Sequence, residues 1–211
     1  MGRTGWAGLA VAACLAVLAP GAGASGSAAY TDAAGDASPP APDVTTAQVA
    51  NDDGGTVVFR ISFSNRPELE ASDFVALLID ADRNSRTGCA RGTFGAEYAL
   101  DVFARRYVFG RCSGGHWSFT KRPRSFGGKF SASTLTLKVN RRALGRASVL
   151  NIRVGAAASG DGDTAYDFAP DIGLGAWSYR IVAPSEAITE SPKRYARRLP
   201  RRFGFAPASV R

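Results

Sequence analysis

Short segments that alternate apolar and polar residues constrain the fold of this chain more than any other feature. The clearest covers residues 56–64, where Val57, Phe59, Ile61 and Phe63 recur at every second position. This is the period of a β-strand with one buried face. An Asn-Asp-Asp-Gly-Gly run directly before the segment is a strong turn signal. The pattern therefore predicts a hairpin that joins this strand to an earlier one.

Similar segments recur along the chain, and no long stretch has the 3.6-residue period of an amphipathic helix. About nine short strands separated by turns are typical of an antiparallel β-sandwich of the jelly-roll or immunoglobulin-like type. Residues 140–145 fit a single helical turn, and residues 25–42 and 159–175 are expected to be loops. The sequence predicts strands over residues 44–50, 56–64, 74–79, 98–102, 107–112, 116–121, 135–139, 149–157 and 176–182.

The two ends of the chain differ from its middle in composition. Residues 1–24 combine Arg3, an apolar stretch and an Ala-Gly-Ala site, which is the layout of a secretory signal peptide. The apolar stretch is shorter than the roughly 20 residues of a spanning helix, so a membrane anchor is disfavoured, and Cys14 leaves a lipoprotein as a further alternative. We therefore expect a secreted, extracellular or envelope-associated protein without a transmembrane segment in its mature chain. Its parts would be a lead-in at residues 25–43, a sandwich at 44–182 and a basic tail at 183–211.

The formal net charge of +8 lies mostly in the tail, where seven Lys and Arg residues face two Glu. A basic tail outside the cytoplasm suits an anionic envelope polymer or anionic lipid surface. Secretion argues against nucleic acid as the partner. The alternative is that the tail is only solvated.

Two cysteines, Cys89 and Cys112, remain after removal of the signal peptide. A secreted protein permits a disulfide, and a bridge between them contributes roughly 3 to 4 kcal/mol in the chain-entropy model. A thiol metal site is disfavoured because the chain has no CxxC spacing and a single histidine.

Two acidic loops offer the oxygen ligands that calcium prefers. In the first, Asp80, Asp82 and Asn84 occupy alternate positions after a predicted strand; the alternative is that they form Asx turns and exposed ion pairs. The second loop has four carboxylates, and the acidic lead-in residues 32–43 might fold beside it; the alternative is a solvated loop. These four residues are Asp161, Asp163, Asp167 and Asp171.

Aromatic side chains are the candidates for stacking on sugar rings. Tyr107 and Tyr166 are expected to be exposed, whereas Trp117 and Trp177 occupy alternating strand positions that suit either a binding face or the core.

Several short motifs follow one another along the chain. They are Asp32-x-x-x-Asp36, Ala41-Pro42-Asp43-Val44, Ile79-Asp80-x-Asp82-Arg83-Asn84-x-x-Thr87-Gly88, Gly95-Ala96-Glu97-Tyr98, and Asp167-x-Ala169-Pro170-Asp171 before Trp177-Ser178-Tyr179. Their order resembles that in the β-sandwich domains related to family 9 carbohydrate-binding modules and DOMON domains. The resemblance implies a non-catalytic domain that binds sugar, or in the DOMON branch haem or sugar, often with a structural calcium ion. Haem is not expected here, because relatives that bind it use a methionine ligand and Met1 is the only methionine.

An enzyme is not expected. Glu97 and Asp101 on one strand would lie about 13 Å apart, beyond the roughly 5 to 9.5 Å that glycoside hydrolysis uses. The sequence has no GxSxG elbow, phosphate loop or dinucleotide fingerprint. The leading hypothesis is a secreted carbohydrate-binding module that calcium stabilises. A structural protein held at the envelope by its tail is the second hypothesis, and a glycan-active hydrolase is the third.

Overall fold

The computed structural model describes residues 24–89, 94–104, 106–119, 122–159 and 163–182. Within these ranges the protein is an all-β antiparallel sandwich, which confirms the predicted fold class. The predicted basic tail and nearly all of the predicted signal peptide lie outside the described residues. The strands are β1 (Ala24–Thr31), β2 (Val44–Asp52), β3 (Thr56–Phe63), β4 (Asp73–Asp80), β5 (Tyr98–Phe103), β6 (Arg106–Ser113), β7 (His116–Ser118), β8 (Gly127–Ser131), β9 (Thr134–Asn140), β10 (Val149–Ser159), β11 (Thr164–Ala169) and β12 (Trp177–Arg180).

The strands form two sheets. The smaller has the order β1-β2-β3-β9-β8, and the larger has the order β11-β10-β4-β5-β6-β7, with β12 pairing with part of β10. The β2–β3 hairpin is confirmed, with Val49 opposite Phe59. In the larger sheet Leu77 lies opposite Leu100 on one side and Val154 on the other.

The inward residues of both sheets form one core, in which Phe59, Leu77, Leu100 and Ile152 are fully buried. Each large apolar side chain of this kind contributes about 1.5 to 3 kcal/mol. The strand alternation predicts the inward positions of Phe59, Leu100 and Ile152, whereas Leu77 belongs to a continuous apolar run.

A hydrogen-bond network ties the two sheets together at one edge. The Tyr179 hydroxyl lies 2.7 Å from Asn51 Oδ1 and 3.0 Å from the Gly26 carbonyl oxygen. Asn51 Nδ2 donates to the Val182 carbonyl oxygen at 2.7 Å. The buried polar groups are thereby paired across the sandwich.

Three strands lie where the sequence predicts none. β1 and β11 fall inside the two segments that we predict to be loops. Gly26 is needed in β1 because a Cβ there would lie 2.6 Å from Val182 Cγ2. β11 escapes prediction because it points Asp167 inward and Tyr166 and Phe168 outward, the reverse of the usual pattern. β8 is Gly-rich, since the Tyr107 ring occupies the space of a side chain at Gly128.

Two local predictions have different outcomes. Residues 140–145 form successive hydrogen-bonded turns rather than a helix, with Ala143 N donating to Asn140 O at 2.8 Å. Cys89 and Cys112 form the predicted disulfide, with their Cα atoms 5.7 Å apart. Within the part of the chain that the structure describes, no helix is long and apolar enough to cross a membrane.

Candidate functional site

The outer face of the larger sheet, which we call the aromatic face, carries large apolar side chains that point away from the core. Phe103 is 46% exposed, Phe119 is 45% exposed and Tyr166 is 52% exposed. Clustered exposed apolar surface of this kind marks interaction sites more often than single exposed residues do. The register of the strands places on this face Phe74, Leu78, Phe103, Val108, Trp117, Tyr166 and Phe168, with Phe119 beside them.

Small residues occupy the middle of the aromatic face. Ala76, Ala99 and Gly110 lie on three neighbouring strands, and a Cβ at Gly110 would lie 2.6 Å from the Phe119 ring. Glycine therefore lets this ring rest against the sheet. At the opposite end of β5, the rings of Phe74 and Phe103 have their centroids 4.7 Å apart. The rings thus flank a region of small side chains.

Two charged side chains lie in this middle region with free hydrogen-bonding capacity. Asp101 is 6% exposed and its buried Oδ1 has no hydrogen-bond partner, and burial raises the pKa of this carboxyl to about 7. Arg153 is 7% exposed and its Nε has no partner, although another of its nitrogens donates to the Gly175 carbonyl. Its guanidinium lies 5.3 Å from the centroid of the Phe94 ring. Buried polar groups without partners are costly, so each calls for an explanation.

The four predicted ligand-binding aromatic residues are divided between face and core. Tyr166 is exposed as expected, and Trp117 is half-buried on the aromatic face. Trp177 packs against the core and stacks on Tyr30 with ring centroids 5.3 Å apart. Tyr107 also packs against the core, so the expectation that it is exposed is wrong. Its position in β6 points it inward, opposite Val102.

The first acidic loop forms what we call the hairpin cluster, made of Asp80, Asp82 and Glu97. Their carboxylate oxygens lie within 4.8 Å of one another. Four of the six oxygens accept from separate N–H groups, including Glu97 Oε2 from Ala81 N at 2.8 Å and Asp80 Oδ2 from Asn151 Nδ2 at 3.2 Å. The other two share the single proton of the Thr87 hydroxyl, which lies 2.8 Å from Asp82 Oδ2 and 3.3 Å from Glu97 Oε1. Burial raises the pKa of both Asp80 and Glu97. Asn84, which the sequence predicts to be a metal ligand, accepts a hydrogen bond on its Oδ1 from Arg86 N.

A second group, which we call the lead-in cluster, joins the lead-in to β11. Asp32, Asp36 and Asp167 have carboxylate oxygens within 4.8 Å of one another. Asp167 Oδ2 accepts from Val44 N at 2.6 Å, which fixes its inward orientation. Asp43 lies nearby, 2% exposed, with Oδ2 accepting from Gly35 N at 2.9 Å.

The lead-in cluster differs from the hairpin cluster in its hydrogen bonds. Asp32 Oδ2 and Asp43 Oδ1 are buried without any hydrogen-bond partner. Burial, reinforced by the neighbouring carboxylates, raises the pKa values of Asp32 and Asp167 to about 6 each. A divalent cation that takes oxygen ligands would pair these groups and relieve their repulsion. The donor set therefore fits such a cation, with Asp32, Asp36 and Asp167 as ligands.

The predicted metal ligands of the second acidic loop are only partly brought together. Asp167 is in the lead-in cluster, and the charge of Asp171 raises the pKa of Asp32. Asp163 is exposed and belongs to neither cluster, and Asp161 lies outside the described residues. The sequence indicates that residues 32–43 might fold beside this loop, but it does not single out Asp32 or Asp36 as ligands. Glu97 was missed as a partner of Asp80 because the register of β4 and β5 brings them together.

No protein-family model matches this chain, and no curated protein or solved structure shows significant similarity to it. The resemblance to family 9 carbohydrate-binding modules and DOMON domains therefore stays a prediction.

Proposed function

We propose that this protein is a secreted, non-catalytic binding module that takes an extracellular glycan or envelope polymer on its aromatic face. The observation that carries the proposal is the pair of buried groups without partners, Asp101 Oδ1 and Arg153 Nε, among exposed aromatic rings. Both atoms are buried in this structure, so a ligand would supply the missing hydrogen bonds by displacing the side chains that cover them.

A carbohydrate suits both kinds of group on this face. Each sugar ring has an apolar surface that stacks on an aromatic side chain, and Phe103, Phe119 and Tyr166 are exposed for such contacts. Each hydroxyl can donate to Asp101 and accept from Arg153 Nε–H. A purely apolar ligand would leave both groups without hydrogen bonds, which argues against it.

Asp101 and the carboxylates of the hairpin cluster lie too far apart to act as the carboxyl pair of a glycosidase. Asp101 lies opposite Ala76 on β4, and Asp80 and Glu97 are each four residues away along a strand. Four residues of strand span about 13 Å, which exceeds the separation of the two carboxyl groups in glycosidases.

Calcium at the lead-in cluster would act as a structural ion at the edge of this face. Ser38 N donates to the Tyr166 carbonyl at 3.1 Å, so the lead-in runs beside β11. A cation held by Asp32, Asp36 and Asp167 would fasten the lead-in to this strand. The orientation of Tyr166 on the aromatic face would then depend on the ion.

The direct test is a broad glycan array, followed by a polysaccharide pull-down, with the oxidised protein in calcium and in chelator. We expect binding to a subset of glycans that is strongest in calcium. An absence of binding to all glycans in both conditions would contradict the proposal.

The second hypothesis, retention at an anionic surface by the basic tail, rests on residues 183–211 and stays a prediction. Deletion of that segment should release the protein from the cell-envelope fraction. Unchanged retention would contradict the role of the tail in holding the protein at the envelope. It would not test ligand binding by the aromatic face.

A further inference from the structure

The loop between β11 and β12, which we call the tip, presents two aliphatic side chains to solvent. Ile172 is 68% exposed and Leu174 is 73% exposed, the highest values among large apolar residues in the described ranges. Leu174 N donates to the Asp171 carbonyl at 3.0 Å, and Arg153 donates to the Gly175 carbonyl at the base of the tip. The tip is therefore hydrogen-bonded at its base while its apolar side chains project outward.

The tip borders the lead-in cluster in one open hollow of about 460 Å³. Asp36, Asp167 and Asp171 contribute carboxylates to the lining, and Ile172 and Leu174 contribute aliphatic groups. The carboxylates suit a cation and the aliphatic groups suit an apolar partner. A partner that contacts both must combine anionic oxygens with hydrocarbon.

Charge decides which partner can approach. Without a cation, the carboxylates of the hollow repel any anionic surface. The buried Oδ1 of Asp43 has no partner, and the charge of Asp43 raises the pKa values of both Asp32 and Asp167, so it adds to the negative field of the cluster. A divalent cation would reduce this negative charge and keep coordination positions for oxygens from outside the protein.

We propose that the tip docks on an anionic phospholipid surface, with a divalent cation at the lead-in cluster bridging to lipid phosphate and with Ile172 and Leu174 entering the boundary between headgroups and acyl chains. This proposal rests on the cation site of the proposed function. Phosphate oxygens are hard ligands that suit calcium, and exposed aliphatic side chains beside them gain from burial at the membrane interface. Phospholipid combines both chemistries in one surface.

The test is co-sedimentation of the full chain with phosphatidylcholine vesicles and with vesicles that contain phosphatidylserine, in calcium and in chelator. Residues 183–211 are basic, and a basic segment is attracted to anionic lipid without calcium, so the quantity to compare is the calcium-dependent increment. We expect this increment only with phosphatidylserine. The double substitution Ile172→Ser with Leu174→Ser should lower the calcium-dependent affinity at least about tenfold, and Asp36→Asn should also lower it.

Val58→Ser on the outer face of the smaller sheet is the matched control and should leave the increment unchanged. An increment that is absent, or that survives the double substitution, would overturn the docking proposal. Thermal unfolding in calcium distinguishes a failure of the lipid-docking proposal from a failure of the cation site. A rise in melting temperature in calcium without calcium-dependent sedimentation refutes lipid docking alone. An unchanged melting temperature refutes the cation site and lipid docking together.

Discussion

The outer faces of the two sheets have opposite chemistry although both belong to the same sandwich. The outward positions of β2, β3 and β9 carry residues such as Gln48, Arg60, Thr136 and Lys138. The largest apolar side chain at these outward positions is Val58. The aromatic face of the larger sheet instead carries rings and two buried charged groups. An antiparallel sheet needs only one apolar face in order to fold. The fold does not require the second apolar face, and we propose that a ligand covers it.

The largest expected effect comes from the buried carboxyl of Asp101. Its pKa rises from an ordinary value near 3.8 to about 7 in the fold, so the protein loses stability from this group as the pH rises from about 4 to about 7. Asp101→Asn removes that ionisation. We expect the variant to be more stable than the native protein by about 4 kcal/mol at pH 8 and equal to it below pH 4.

Urea unfolding of both proteins between pH 4 and pH 8 measures this difference. Gln48→Ala, on the polar face of the smaller sheet, is the control and should change stability by less than about 0.5 kcal/mol at every pH. A pH-independent effect of Asp101→Asn would show that the carboxyl is solvated, and the two faces would then be less different than we infer.

The next effect concerns calcium at the edge of the larger sheet. Asp36 and Asp82 are both exposed members of a three-carboxylate cluster, but only the lead-in cluster has buried oxygens without partners. Asp36→Asn should weaken calcium binding about tenfold and so remove about 1.4 kcal/mol of the stabilisation in calcium. Thermal unfolding in calcium and in chelator measures it. A loss of the calcium-induced rise in melting temperature in Asp82→Asn but not in Asp36→Asn would place the ion at the hairpin cluster instead.

The smallest effect separates binding from folding on the aromatic face. Phe119 is 45% exposed and rests on Gly110 rather than in the core. Phe119→Ala should therefore cost about 1 kcal/mol of stability or less, whereas Phe59→Ala in the core should cost about 3 to 5 kcal/mol. Denaturant unfolding of both variants gives the comparison. A loss for Phe119→Ala as large as that for Phe59→Ala would make the ring a structural element.

The sequence predicted the parts of the fold that follow from local alternation. Val57, Phe59 and Ile61 recur at strand period, and the hairpin and fold class follow from such patterns. β11 was missed because Asp167 is its inward residue, and that orientation depends on a hydrogen bond from Val44, which is distant in sequence. Apolar alternation does not predict a strand whose inward residue is charged, so residues 164–169 are predicted to be a loop.

The candidate site was less predictable because it depends on strand register and on burial. Asp101 occupies an ordinary outward strand position, and nothing local indicates that its carboxyl is buried without a partner. Asp32 and Asp36 meet Asp167 only when the lead-in folds beside β11. The sequence shows that both segments are acidic. It does not show which of their carboxylate oxygens accept hydrogen bonds in the fold and which are buried without a partner.

The measurement that tests the central claim most directly is isothermal titration of an array-selected glycan into the native protein, Phe119→Ala and Val58→Ala. The account predicts a saturable isotherm for the native protein, an affinity at least about tenfold weaker for Phe119→Ala, and no change for Val58→Ala. Equal affinities for all three proteins, or a loss confined to Val58→Ala, would contradict the assignment of the aromatic face as the binding surface.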